Sequence, residues 1–205
     1  RYDAPGAPDL AEQLMSLARA AGVEMQSTAE QGLDHGAWVP LRYIYPQAKI
    51  PVLPLAFNPR ASPAEQFALG RLLAPLASDG VLILASGSIT HNLSLVFGTA
   101  ERVPTIDAPE HNASAEFRQW LLTHSAGRNW PALLDYRRQA PFAALMHPTD
   151  EHLLPWFIAA GTGGPNDGPQ RIHASLTFGT LGMDAYAFGP HAGRLARLID
   201  PNANL

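Results

Sequence analysis

The sequence predicts an α/β fold, a single-domain α/β sandwich over residues 1–205 with a central mixed sheet flanked by helices. Three observations predict it. Val81-Leu82-Ile83-Leu84-Ala85 is a continuous apolar run ending in Ser-Gly-Ser, the pattern of a central strand. Segments with helical spacing of apolar residues alternate with shorter strand-like runs along the chain. The 205 residues, 46% hydrophobic and 16% charged, suffice for one sizeable core.

In chain order, residues 8–21 read as a helix, with Leu10, Leu14, Leu17 and Ala18 at helical spacing and Gly22 as its stop. Residues 23–27 fit a short strand, 31–36 a polar turn and 37–45 a short helix before Pro46. Residues 50–57 read as a buried strand whose Pro51 and Pro54 place it at an edge or bulge. Ser62-Pro63 opens a helix to residue 78 with Leu69, Leu72, Leu73 and Leu76 on one stripe. Residues 80–86 are the central strand. Residues 110–125 and 130–138 are helices, and 149–160 begins as one with Thr-Asp-Glu. Residues 161–168 are a loop, 172–178 a strand, and 190–205 a weakly structured or peripheral end. No strand precedes the first helix and the chain opens on Arg1, so the start reads as the middle of a larger fold; a processed or tagged terminus is the ordinary alternative.

Composition excludes several functions. A net charge of −4 with scattered Lys and Arg argues against nucleic acid. No apolar stretch approaches a membrane span, and residues 1–10 are not a signal peptide, so a cytoplasmic protein is expected. With no Cys, a metal must be held by the eight His and by carboxylates.

Three clusters carry candidate chemistry. In Leu33-Asp34-His35-Gly36-Ala37-Trp38, Asp34 can orient the His35 imidazole and Trp38 can wall a pocket; a surface turn with Asp34 as helix cap is the bland alternative. Ser86-Gly87-Ser88-Ile89-Thr90-His91-Asn92-Leu93 follows the carboxyl end of the central strand, where open α/β sheets bind ligands; an ordinary strand-to-helix loop also fits. His147-Pro148-Thr149-Asp150-Glu151-His152 holds two His and two carboxylates, a potential metal donor set, although helix capping accounts for the acids. His111, His124, His173 and His191 read as surface residues, and Trp156-Phe157 as core.

Taken together, Gly32-Leu-Asp-His-Gly-Ala-Trp-Val-Pro-Leu41 with Tyr45-Pro46 and Ile50-Pro51-Val52, Ser86-Gly-Ser-Ile-Thr-His-Asn-Leu93, His147-Pro-Thr-Asp-Glu-His152 and Gly182-Met183-Asp184-Ala185-Tyr186 resemble one family in order and spacing. It is the class III extradiol ring-cleavage dioxygenase family, in its catalytic-subunit form, with most likeness to the 4,5-DOPA dioxygenase branch. Asp150 stands where the branch usually has Pro.

The resemblance implies a non-haem Fe(II) enzyme, with zinc a metal of some purified forms, that opens a catechol ring with O₂. It implies His35 as an acid–base group oriented by Asp34, and His91 as the second acid–base group or a metal ligand. It implies His152 as a metal ligand with Glu151 competing for that role. Trp38, Asn92, Met183 and Tyr186 fall at substrate-contact positions. A homodimer is a further expectation. The family's two N-terminal metal-binding His, in a Gly-His-Gly-Ser-Pro loop and a Ser-x-His segment, have no counterpart here. The expectation is therefore an N-terminally truncated form that supplies part of the metal shell. An inactive homologue serving as a binding or signalling protein, and a different His-rich metal hydrolase, are the competing readings. The dioxygenase reading requires His35, His91 and His152 to meet at one cleft.

Overall fold

The structure, a computed structural model, describes residues 2–29, 31–98 and 103–199. It divides into two compact units, residues 1–58 with 75–82, and residues 59–74 with 83–205.

The first unit holds α1 (Pro8–Ala20) and α2 (His35–Ile44). Pro8 sits in the first turn of α1, where its missing N–H costs nothing, and Gly22 takes the left-handed conformation just past the end. Leu14, Ala18, Leu41 and Leu76 are its buried apolar residues. Residues 50–57 are extended but form only a bridge, Gly6 with Val52.

α3 (Pro63–Ser78) runs from the second unit into the first. Ser62 and Glu65 form a reciprocal capping box at its start: Glu65 Oε2 accepts from the Ser62 N–H at 2.7 Å, and Ser62 Oγ accepts from the Glu65 N–H at 3.3 Å.

The second unit contains α4 (Ser94–Phe97), α5 (Asn112–Ala126), α6 (Trp130–Leu134), α7 (Tyr136–Gln139), α8 (Ala143–Met146) and α9 (Leu154–Gly163). After these come β1 (Gln170–His173), β2 (Leu176–Thr177), β3 (Leu181–Gly182), β4 (Ala185–Ala187) and α10 (Ala192–Ile199). Its core is aromatic and aliphatic: Phe117, Leu121, Leu133, Tyr136, Leu153, Leu154 and Phe157 are each fully buried. Tyr136 and Phe157 stack at 5.7 Å between ring centroids. β1 pairs antiparallel with β4 (Arg171 opposite Tyr186) and β2 with β3 (Leu176 opposite Gly182).

The α/β class holds, helix-rich and with small sheets. In place of a central mixed sheet, the described residues form these two two-stranded antiparallel sheets. Residues 80–86 carry no ladder: from Val81 to Ser86 half-buried and exposed positions alternate, with Leu82 63% and Leu84 41% exposed. Apolar character raises the reward for burial, but a strand exists only where a second backbone accepts its hydrogen bonds. The same reason removes the strand expected at 23–27 and reduces 50–57 to one bridge.

The helix expected at 130–138 breaks at Asp135 into α6 and α7, and the strand at 172–178 is split between β1 and β2. The helix expected from Thr149 begins at Leu154, with Pro155 in its first turn, and runs through Gly163 into the expected loop. The C-terminal region holds α10; residues 200–205 lie outside those described. Among the described residues no helix is long and apolar enough to cross a membrane.

Candidate active site

The site in the second unit is built by two loops laid side by side. The Ser88 N–H donates to the His152 carbonyl at 2.8 Å, and the His91 N–H to the Met146 carbonyl at 2.9 Å. Asn92 Nδ2 donates to the Leu145 carbonyl at 2.7 Å, and His147 Nε2 bonds the Ile89 carbonyl at 2.8 Å. Gly87 is required by the closeness of this approach, because a Cβ there would lie 2.2 Å from the His152 carbonyl oxygen. The loops so joined bring His91 and His152 face to face, ring centroids 3.5 Å apart and planes 13° from parallel.

Both rings are half-buried. Burial, and then the neighbouring His152, hold the His91 imidazole below its ordinary pKa, although the Glu151 carboxylate works in the other direction. At neutral pH His91 is therefore an uncharged imidazole with a lone pair, the form that binds a metal or accepts a proton. Burial would raise the Glu151 carboxyl, but the Thr149 hydroxyl (2.8 Å), its own backbone N–H and the two imidazoles outweigh it and hold the carboxyl below its usual range. Glu151 Oε1 lies 3.3 Å from His152 Nδ1, a contact without hydrogen-bond geometry, so that nitrogen has no hydrogen-bond partner among the described residues.

A third segment borders the His91 loop. The Ile89 N–H donates to the Gly182 carbonyl at 3.2 Å. Thr90 Oγ1 accepts from the Gly182 N–H at 2.6 Å and donates to the Thr180 carbonyl at 2.7 Å. Gly182 is again a close approach, its absent Cβ falling 2.9 Å from Arg118 Cδ.

Arg118 fixes this segment from beneath. Its guanidinium forks onto Asp184 (2.7 and 3.1 Å) and reaches Glu110 at 2.7 Å, while Arg171 adds a contact to Asp184 at 3.3 Å. The Asp184 side chain is 1% exposed. Met183, between Gly182 and Asp184, is left half exposed. The Tyr186 hydroxyl is buried without a partner among the described residues, and burial raises its pKa; its ring packs edge-on against Trp156 at 5.9 Å.

The family model described as the catalytic LigB subunit of aromatic ring-opening dioxygenase matches residues 1–189. The chain belongs to this LigB family. Its relatives include the 4,5-DOPA dioxygenase extradiol of Beta vulgaris, 38% identical over 92% of this chain and 68% of that protein. The Escherichia coli K12 protein of the same name is 34% identical, over 92% of this chain and 68% of its own length. A solved structure of an uncharacterised protein from Escherichia coli K12 superposes with a TM-score of 0.76 at 27% identity, covering 92% of this chain and 75% of the other.

Within this LigB chain the residues read from sequence divide sharply. His91, His152 and Glu151 come together, and Met183 and Tyr186 lie on the segment bonded to the His91 loop. His35, Asp34 and Trp38 belong to the first compact unit. Asp34 caps α2, accepting the Ala37 N–H at 3.0 Å, and no hydrogen bond joins its carboxylate to the His35 ring; the capping alternative describes it. His35 and Trp38 are exposed. Asn92, expected to contact substrate, is buried, and both ends of its amide are engaged, by the Leu145 carbonyl and by the Ser94 N–H at 3.0 Å. It brackets the loop.

Thr149, Asp150 and Glu151 do not cap α9. Asp150 instead accepts from the Tyr136 hydroxyl at 2.7 Å and pairs with Arg137 at 2.9 Å. Among the described residues no group of three or more His, Asp or Glu is arranged to hold a metal ion.

One further residue, Arg118, was missed in the sequence, and His147 was read there only as part of a potential metal donor set. Arg118 shares the buried face of α5 with Ser114, Phe117 and Leu121, and an Arg on an apolar stripe was the available signal. His147 is wholly buried, and its place between Met146 and Pro148, after an apolar stretch, gave a weaker one.

Proposed function

We propose that this LigB-family chain opens a catechol-type ring with O₂, using Fe(II) held in part by His91 and His152. The observation that carries the reading is the meeting of these two imidazoles at 3.5 Å, from loops far apart in sequence. The donors fit the metal in kind: imidazole and carboxylate are the ligands of non-haem Fe(II) centres with open positions. They fit in number only in part, since His91, His152 and Glu151 come together but no group of three donors among the described residues is arranged around one ion. The near-parallel rings do not aim their in-plane lone pairs at one point, so sharing an ion requires one ring to turn about its Cβ–Cγ bond. When bound, the metal would lower the pKa of the catechol hydroxyls and supply the redox chemistry that O₂ needs.

The chain's own residues do the remaining work. His91, kept uncharged by burial, accepts a proton at an imidazole nitrogen wherever it is not itself a ligand. His35 is the second proton-transfer group, and its exposure on α2 leaves it accessible to a substrate. Met183, half exposed, offers apolar contact to the ring, Tyr186 on the same segment packs against Trp156, and Trp38, exposed on α2, is a further candidate substrate contact. Zinc in the same donors would bind without the redox chemistry that O₂ needs.

The test loads the purified protein with Fe(II) under anaerobic conditions, adds L-DOPA or protocatechuate, and admits O₂. The expected result is one O₂ consumed per ring opened, with a yellow product, and loss of both in His152→Ala together with lowered iron content. Iron-loaded protein that consumes no O₂ with any catechol overturns the reading.

A further inference from the structure

We propose that His147 is a positioning residue for this site: its ring N–H holds the Ile89 carbonyl and thereby sets His91 opposite His152. The inference rests on the ring-cleavage reading of that His pair. A carbonyl oxygen only accepts, so His147 Nε2, 2.8 Å from it, carries the proton and donates. The other ring nitrogen, Nδ1, is therefore bare; it is buried and has no hydrogen-bond partner among the described residues.

The ring cannot swing away from this bond. It is fully buried, with Phe117 at 5.4 Å and Tyr136 at 6.4 Å between centroids. Its backbone is fixed as well: the Arg137 guanidinium donates to the His147 carbonyl, and Asp150 holds both Arg137 and the Tyr136 hydroxyl.

The residues on either side show what the bond positions. The Met146 carbonyl takes the His91 N–H, and Ile89 lies two residues before His91, so His147 and its neighbour grip the His91 loop at two successive points. An apolar side chain would fill this aromatic environment at lower cost, since burying a polar ring is unfavourable unless its hydrogen bond is needed. The cost is visible in the imidazole itself, which burial pushes down to about 4.

The test uses His147→Gln, whose amide nitrogen can replace the Nε2–H donor, and His147→Leu, which keeps bulk and loses the donor. Ring cleavage by iron-loaded His147→Leu should show kcat lowered about 10–100-fold, the range for residues that orient a metal site's ligands. KM should change little, and His147→Gln should recover most of the rate. On metal-free protein, nitrogen-15 NMR should show His147 as the Nε2–H tautomer, and proton contacts between the His91 and His152 rings should persist in His147→Gln and vanish in His147→Leu.

The proposal fails if His147→Leu keeps both the wild-type kcat and the ring contacts, or if His147 carries its proton on Nδ1. Should His147→Leu not fold, His147→Asn, too short to reach Ile89, takes its place, and equal behaviour of the Gln and Asn variants overturns the idea. If the wild-type protein opens no ring, the functional reading falls alone, and the NMR contacts still decide the role of His147.

Discussion

The His91–His152 pair and the helix that carries His35 are built in opposite ways. Around the pair, polar groups are buried and tied to partners far along the chain: Thr90 to Thr180 and Gly182, Asn92 to Leu145, His147 to Ile89, Arg118 to Asp184. On α2 the side-chain bond is local, Asp34 to Ala37, and Trp38, Val39, Tyr43 and Ile44 are exposed. Long-range bonding fixes the loops that carry His91 and His152 before any ligand arrives, and leaves to the rings the turn that sharing an ion requires. A locally capped, exposed helix belongs to the low-stability part of a protein, from which moving and substrate-contacting elements are drawn. The two candidate proton-transfer regions therefore differ in how firmly they are held, and substitutions can separate them.

The largest stability loss is expected at Asp184. Asp184→Ala leaves Arg118 and Arg171 without the carboxylate they share in a site where that side chain is 1% exposed. Breaking a buried pair from one side costs about 3–5 kcal/mol, read as a lowered urea midpoint. If stability barely moves, the third segment is not the rigid support described.

A pH effect of similar size should come from His147. Its folded imidazole is pushed down to about 4 from an ordinary 6.5, chiefly by burial, with the Ile89 carbonyl and then Asp150 opposing and His91 and His152 reinforcing the shift. The unfolded chain thus binds more protons than the folded one between those values. Stability is fully present above 6.5 and is lost as pH falls through the window, by on the order of 3 kcal/mol in all. In His147→Gln the pH dependence of the urea midpoint should flatten across that window, and an unchanged slope would assign the loss elsewhere.

Gly87→Ala should cost less, about 1–3 kcal/mol as overpacking. Its Cβ meets a backbone oxygen 2.2 Å away, so the two loops must part. Iron content should fall together with the urea midpoint; a fall in stability alone would show that the His pair tolerates the displacement.

What could be read from the sequence follows the same division. Helix bounds set by neighbours were legible: the apolar spacing closed by Gly22 gave α1, and Ser62-Pro63 gave the start of α3, nearly to the residue. The four motifs gave the family, and two of them carry the His91, Glu151 and His152 that come together. The strand expected at 80–86 failed because its apolar run says nothing about a hydrogen-bonding partner. The start of α9 was misplaced because Asp150, a good local cap, is claimed by Tyr136 and Arg137 from another helix. Asn92, read as a substrate contact, is held locally by the Ser94 N–H and at long range by the Leu145 carbonyl, a partner visible only once the loops are side by side.

His35→Ala is expected to have the smallest effect on folding and therefore makes the cleanest test of the contrast. The side chain is exposed and makes no hydrogen bond among the described residues, and Asp34 still caps α2 without it. The urea midpoint should stay within the roughly 0.5 kcal/mol typical of surface changes. Iron content should also stay at the wild-type level, because the metal is held by His91 and His152 in this reading. If His35 moves a proton in the reaction, kcat should nevertheless fall by about 10²–10⁴-fold. A variant that is folded, iron-loaded and slow would show that the exposed helix carries chemistry while the buried loops carry the metal. A variant with full activity would leave the chemistry to the buried site and make α2 a surface helix capped by Asp34.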